Sequence, residues 1–263
     1  MITDTCQRWR SRRESYRPAG EPIRTADYEV AAIPGDREAK AFVVEHHYSA
    51  SYPAARERVG LYRNGAMVGV AVFSVPVRGS VLDHLPCPRE VAVELGRMVL
   101  LEDVPANGES WFIARCFDLL RRRGYAGVIS HADPVPRTAA DGRLVFPGHV
   151  GTIYQASNAV YAGYATARTL RLLPDGSVFS ERSMSKVRSR ERGWRYAVDQ
   201  LVAAGAEPPS GDLRTWLPLA LRQATRPMRH SGNLRYLFGL TRGVAKRLPP
   251  SLPYPKFERR PGR

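Results

Sequence analysis

The feature that most constrains this chain is a buried helix set between two apolar strands. Residues 110–123 carry Trp111, Phe112, Ala114, Cys116, Phe117, Leu119 and Leu120. Apolar side chains cover so much of that helix that it must lie largely inside a fold. Arg121, Arg122 and Arg123 stand at its negative end, and Gly124 sits where a left-handed cap is wanted. Val91–Leu101 reads as a strand before it and Gly127–Ser130 as a short buried strand after it, running into His131-Ala132-Asp133-Pro134. Thr152 to Tyr161 reads as a second helix, closed at Gly163. Strand, helix, strand and helix over residues 94–163 therefore form the core of an α/β fold.

The flanks extend this pattern. Val30–Ile33 reads as a strand stopped by Pro34-Gly35, and Asp36 opens a helix that leads into His46-His47-Tyr48-Ser49. Gly60–Arg63 and Met67–Ser74 face each other across Asn64-Gly65, the strongest short hairpin signal. Thr166–Leu173 and Leu234–Leu240 read as further strands. Between them lies an insertion, Ser177–Pro227, with a basic run and a helix near Trp194–Ala203. The sum is a mixed sheet with helices on both faces, an α/β (α+β mixed) architecture. Four segments follow. Residues 1–25 form a basic arm expected to be disordered, 26–175 a core, 176–227 a basic helical insertion, and 228–263 the last core strand with a basic tail.

Charge separates the core from its flanks. The net charge is +15, yet residues 26–175 hold 16 basic and 16 acidic groups, while residues 226–263 hold 10 basic groups and one acidic group, Glu258. A neutral core with cationic edges suits a protein that docks a polyanion. Arg182, Lys186, Arg188, Arg190, Arg192 and Arg235 are the expected nucleic-acid contacts. The basic stretches lack the apolar partner face of a membrane-surface helix. No apolar run approaches the roughly 20 residues needed to span a bilayer. The first residues are not a secretory signal, and Cys6, Cys87 and Cys116 are too widely spaced for a disulfide framework. A reducing, cytoplasmic setting is expected.

Chemistry is sought at the ends of the central strands, where open α/β sheets place ligands. Arg97 interrupts an apolar strand; it is either a surface partner of Glu94 or a group that holds a phosphate or carboxylate. The turn Asn107–Ser110 offers backbone N–H groups and a positive helix end, which suits a pyrophosphate as well as it suits a simple cap. Asp133, just past a buried strand, is a candidate general base or acceptor for an amino group, or else a turn cap. Tyr154, Asn158 and Tyr161 recur at helical spacing and would share one face, as a polar lining or as packed aromatics. His47 and Tyr48 add polar groups at the end of an apolar helix.

These pieces together resemble a known family. His47-Tyr48-Ser49, Glu94-Leu95-Gly96-Arg97-Met98, His131-Ala132-Asp133-Pro134, the run from Gly148 to Gly163, and Asn233-Leu234-Arg235-Tyr236 are similar to the Mom family of phage-type DNA modification proteins, relatives of GNAT acetyltransferases. The resemblance covers about residues 28–173 and 232–240, and the run around Thr152–Tyr161 is its most specific part. It implies a GNAT-like sheet and a transferase that adds a carbamoylmethyl (acetamido) group to N6 of adenine in double-stranded DNA, protecting it from restriction. By that resemblance His47, Tyr48, Asp133 and Tyr154 are catalytic, and Arg97, Ser110 and Asn158 bind the donor. Acetyl-CoA or a related acyl-CoA is the implied donor. The product joins N6 to a methylene carbon, which plain acyl transfer does not make. Iron-assisted activation, with His47, Tyr48 and Asp133 as the ligand types, is therefore a further expectation.

Two alternatives stay open. One is a GNAT-type N-acetyltransferase that uses acetyl-CoA on a protein or small-molecule amine. The other is a noncatalytic DNA-binding protein on the same fold, which would tolerate Asp133→Asn and Tyr154→Phe.

Overall fold

The computed structural model describes residues 5–256. Along the chain the elements run β1 (Thr5–Arg10), β2 (Arg13–Pro18), β3 (Tyr28–Ala32), α1 (Asp36–His46), β4 (Ala55–Arg63), β5 (Ala66–Ser74), β6 (Ala92–Leu100), α2 (Gly108–Arg122) and β7 (Gly127–Ala132). They continue with β8 (Arg137–Thr138), β9 (Leu144–Phe146), α3 (Thr152–Ala156), β10 (Val160–Tyr164), β11 (Arg168–Leu172) and β12 (Val178–Phe179). The last are α4 (Glu181–Ser189), α5 (Trp194–Ala203), α6 (Leu213–Ala224), β13 (Arg226–His230), β14 (Leu234–Gly239) and α7 (Arg242–Arg247). Two compact units share them. The first takes the chain up to Asp133, His149–Tyr164 and the chain from Asn233; the second takes Pro134–Gly148 and Ala165–Gly232.

The first unit is built on a seven-stranded sheet in the order β10-β14-β7-β6-β5-β4-β3. Its neighbours pair antiparallel except β6 and β7, which run parallel from Ala92 opposite Gly127 to Leu95 opposite Ser130. Alternation along β5 supplies both faces. Val70 and Val72 meet Ala39 and Val43 of α1, while Ala71 and Phe73 join Phe112, Cys116 and Phe117 of α2. The expected mixed sheet with helices on both faces is present.

Local signals explain several boundaries. Asn64 and Gly65 take φ of 51° and 76°, the two left-handed positions of a type I′ turn, and Arg63 pairs with Ala66 across it. Helix α2 closes with Gly124 at φ 86° and a bond from the Tyr125 N–H to the Leu120 carbonyl at 3.1 Å.

Three expectations differ from the structure. Within the arm of residues 1–25, expected to be disordered, Thr5–Pro18 forms an antiparallel hairpin closed by Ser11 and Arg12 in left-handed backbone. It is held by Arg8, only 1% exposed, whose guanidinium pairs with Glu109 and donates to the carbonyls of Val104 and Pro105. The helix expected over Thr152–Tyr161 stops at Ala156; Asn158 turns left-handed at φ 59°, and Val160–Tyr164 is a strand beside β14. The insertion is also larger than residues 176–227, because Pro134–Gly148 and Ala165–Asp175 belong to the second unit.

The second unit has its own core. Sheet β12-β11-β13 and hairpin β8-β9 accompany three helices. Phe179, Met184, Val187, Leu201, Trp216 and Leu217 pack together between those elements. Ser180 caps α4 through the Ser183 N–H at 3.0 Å, and Asp212 caps α6 through the Arg214 N–H at 3.3 Å. Among the described residues no helix is long and apolar enough to cross a membrane.

Candidate active site at the parting of two parallel strands

Beyond Leu95 and Ser130 the parallel strands β6 and β7 no longer pair. A bulge on β6 occurs at the same place: Phe73 faces Leu95 and Val72 faces Arg97, leaving Gly96 as the extra residue. A Cβ on Gly96 would lie 2.5 Å from Ser74 Oγ, so any larger residue there would force Ser74 to move. The bulge keeps Arg97 in pairing with Val72, on the face opposite Phe73. The Arg97 guanidinium donates to the Ser51 carbonyl at 2.9 Å and to Ser51 Oγ at 2.7 Å. Burial pushes its pKa down, while Tyr48, Glu94 and Tyr154 oppose the shift. The guanidinium remains a cation.

Glu94 lies on β6 opposite Ile129, and His131 follows two residues later on β7, so the two share a sheet face. His131 Nδ1 is 2.9 Å from Glu94 Oε1. A carboxylate at Nδ1 holds the ring proton there and leaves the Nε2 lone pair available as a base.

Tyr154 enters from α3 and is 7% exposed. The helix start is fixed by Gly151, whose φ is +70° and whose absent Cβ would meet the rings of Tyr154 and Tyr236 at 2.7 and 2.8 Å. Burial pushes the Tyr154 phenol above its ordinary pKa, with Glu94 adding to the shift and a hydrogen bond to Ser130 opposing it. The phenol therefore keeps its proton across the physiological range. Its ring packs against Tyr236, with centroids 5.3 Å apart and the planes inclined at 50°.

His47 and Tyr48 follow α1. His47 is buried, and its Nδ1 accepts the Ser49 N–H at 3.1 Å. Burial pushes its pKa well down, and the positive fields of Arg97 and His149 act the same way. His47 is thus neutral with its proton on Nε2, where it can act as a donor. The Tyr48 ring lies 4.2 Å from His47 and 4.6 Å from Trp9 of β1. Its hydroxyl is 3.4 Å from His149 Nε2. The His149 N–H bonds the Asp133 carbonyl at 2.8 Å, which fixes Asp133 just past the end of β7.

The remaining candidates lie elsewhere. Ser110, in the first turn of α2, donates to the Asn107 carbonyl at 3.3 Å. In the preceding turn the Ala106 N–H donates to Glu21 Oε2 at 3.2 Å, and the Asn107 N–H donates to the Glu21 carbonyl at 3.2 Å. Asn158 is exposed and lines a separate cavity of about 340 Å³ with Phe117, Arg121 and Leu240. Arg235 is half-buried on β14 opposite His131, in the first unit, unlike the other expected nucleic-acid contacts. Those lie in the second unit, which carries 14 basic and 7 acidic residues. Arg188, Arg190 and Arg192 are exposed there, Lys186 is half-buried, and Arg182 is exposed while pairing with Glu191 at 2.5 Å. Tyr196, 74% exposed on α5, adds an aromatic surface that was not foreseen.

The sequence reading passed over Glu94 and His131 as a working pair, and over Trp9 and His149 as neighbours of Tyr48. Only the position of His131 before Asp133 at a strand end hinted at the first. The expected iron site is not supported: among the described residues no group of three or more His, Cys, Asp or Glu side chains is placed to hold a metal ion.

No curated relative matches the chain. Among solved structures, the ribosomal-protein-S18-alanine N-acetyltransferase from Escherichia coli is 15% identical, with 57% of this chain and 88% of that one covered and a TM-score of 0.35. An N-acetyltransferase from Staphylococcus aureus Mu50 is 11% identical over 81% of this chain and 99% of that one, at a TM-score of 0.36. A polyamine N-acetyltransferase from Drosophila melanogaster is 10% identical over 81% and 100%, at 0.38. Nothing about activity passes from these to the present chain. The profile of the Mom protein family, by contrast, matches residues 27–256, and the chain belongs to that family.

Proposed function

We propose that the protein is a DNA-modifying transferase that adds a carbamoylmethyl group to N6 of adenine. The observation that carries this reading is the Glu94–His131 pair at the point where β6 and β7 part, on the sheet face that also carries Arg97, while Tyr154 reaches the same parting from the other face, against Ser130. Adenine N6 is a poor nucleophile because its lone pair is delocalised into the ring. A base must therefore take its proton as the new bond forms. His131 Nε2 is that base, oriented by Glu94. The N6–carbon bond forms at a methylene carbon, so the donor carries its leaving group on that carbon. That group departs with the bonding electrons and takes the Tyr154 proton. Arg97 holds the donor's negative end, and Asp133 accepts a hydrogen bond from the adenine edge.

An adenine stacked in a duplex is out of reach, and flipping it out costs a few kcal/mol. The rings of Tyr48 and Trp9 are the stacking surfaces proposed to receive it. The duplex is held by the basic side chains of the second unit, chiefly Arg188, Arg190 and Arg192. Tyr154, Tyr48 and Arg97 keep the donor- and base-handling roles that the family resemblance implies; His47 positions the site as a neutral donor.

Nucleoside mass spectrometry of DNA from expressing cells, with Asp133→Asn as control, tests this. The expected result is N6-carbamoylmethyl-deoxyadenosine in the wild-type sample alone. A single acetyl on a protein or small amine, with unmodified DNA, would favour plain N-acetyl transfer instead.

A further inference from the structure

We infer that the turn leading into α2 is closed to a diphosphate by the chain itself, so that the donor reaching Arg97 and Tyr154 has no nucleoside diphosphate seated there. An anion at a helix start depends on backbone N–H groups left without partners and on the positive end of the helix dipole. Three successive N–H groups of this turn already have partners. The Ala106 N–H donates to Glu21 Oε2, the Asn107 N–H to the Glu21 carbonyl, and the Gly108 N–H to the Pro105 carbonyl at 2.8 Å. Glu21 is an anion supplied in cis. Arg17 grips its carboxylate through two bonds of 2.8 and 2.9 Å, and that grip holds its pKa below the ordinary carboxylate range.

A second set of contacts fills the space over the helix start. Arg8 donates to the carbonyls of Val104 and Pro105 at 3.2 and 2.9 Å and pairs with Glu109, which is itself buried. Two carboxylates, Glu21 and Glu109, thus stand where a diphosphate would bring further negative charge. Lifting the β1–β2 hairpin away would leave one of the buried charges unpaired, which is strongly unfavourable. The hairpin is tied down elsewhere too, by the Arg12 N–H on the His46 carbonyl at 3.1 Å and by Trp9 on Tyr48. The class of donor that fits is compact, with its anionic end on Arg97 and no nucleotide handle. This last point rests on reading the site as a group-transfer centre.

Hydrogen exchange on the full chain tests the inference, with millimolar acetyl-CoA and inorganic pyrophosphate as probes. Exchange over residues 102–112 and over 5–18 is expected to stay unchanged with either probe. Glu21→Ala is expected to lose protection at Ala106 and Asn107, which locates the carboxylate's role. Protection of 106–110 by acetyl-CoA in the wild-type chain would overturn the inference. So would a rise in exchange over 5–18, because the hairpin would then be a displaceable lid. The wild-type comparison needs no variant to fold. Nucleoside analysis judges the proposed function separately: modified DNA with acetyl-CoA protecting the turn would sink only this inference, and unmodified DNA with a closed turn only that function.

Discussion

Glu94 Oε1 accepts from His131 Nδ1 at 2.9 Å, across two parallel strands whose pairing ends one residue pair beyond Glu94. The bond fixes the imidazole's tautomer and points its basic nitrogen away from the carboxylate. Arg97, a cation, follows on the same sheet face, and Tyr154, a phenol that keeps its proton, lies against Ser130 on the other.

Tyr154→Phe separates the phenol's chemistry from its packing. The ring contact with Tyr236 at 5.3 Å survives, and the hydroxyl's hydrogen bond to Ser130 is lost. Stability should fall by about 1 kcal/mol. Activity should fall by roughly 10²-fold or more, as for loss of a proton donor. Thermal unfolding and single-turnover kinetics on DNA check the two effects. Wild-type activity in the variant would remove Tyr154 from the mechanism.

His47 makes the fold sensitive to acid. Its folded pKa is pushed well below 6.5, so the unfolded chain binds a proton more readily. This contribution is present in full above about pH 6.5 and is lost as the pH falls below that value. Melting temperatures measured from pH 7 down to about pH 4 should show a shallower acid limb in His47→Asn. The asparagine can still accept the Ser49 N–H but does not titrate. Identical acid limbs would contradict a buried, neutral His47.

Gly96→Ala tests the bulge. Its Cβ would be placed 2.5 Å from Ser74 Oγ. Overpacking of this kind costs about 1–3 kcal/mol. Ser74→Ala in the same chain should recover part of the loss, since it removes the clashing oxygen. Denaturant unfolding of the single and double variants measures the coupling.

Arg188, Arg190 and Arg192 are exposed in the second unit. Changing all three to alanine should weaken DNA binding about equally on every sequence. The slope of log affinity against log salt should become shallower by about 0.9 for each phosphate contact removed. Fluorescence anisotropy at several salt concentrations reads this, and an unchanged slope would place the duplex elsewhere.

Much of the framework was legible because it depends on local chemistry. Asn64-Gly65 needed only two left-handed residues, Gly124 only a cap, and α2 only a stripe from Phe112 to Leu120. The β1–β2 hairpin was illegible because its strands, TCQRWR and RESYRP, carry no apolar alternation, and its anchor is an arginine that reads as a surface charge. Tyr154, Asn158 and Tyr161 shared a helical spacing, yet a left-handed Asn158 breaks the helix, and Tyr161 packs beside Tyr236 from a strand instead. The Glu94–His131 pair depends on the register of β6 against β7, a long-range fact with no local signature.

The central claim is that a Glu94-oriented His131 deprotonates adenine N6 during transfer. Quantitative nucleoside mass spectrometry of DNA from cells expressing wild type, Glu94→Gln and His131→Gln at equal protein levels tests it most directly. The account predicts N6-carbamoylmethyl-deoxyadenosine in the wild type and a loss of roughly 10²-fold or more in both variants. An unmodified deoxyadenosine pool in the wild type, or undiminished modification in both variants, would contradict it.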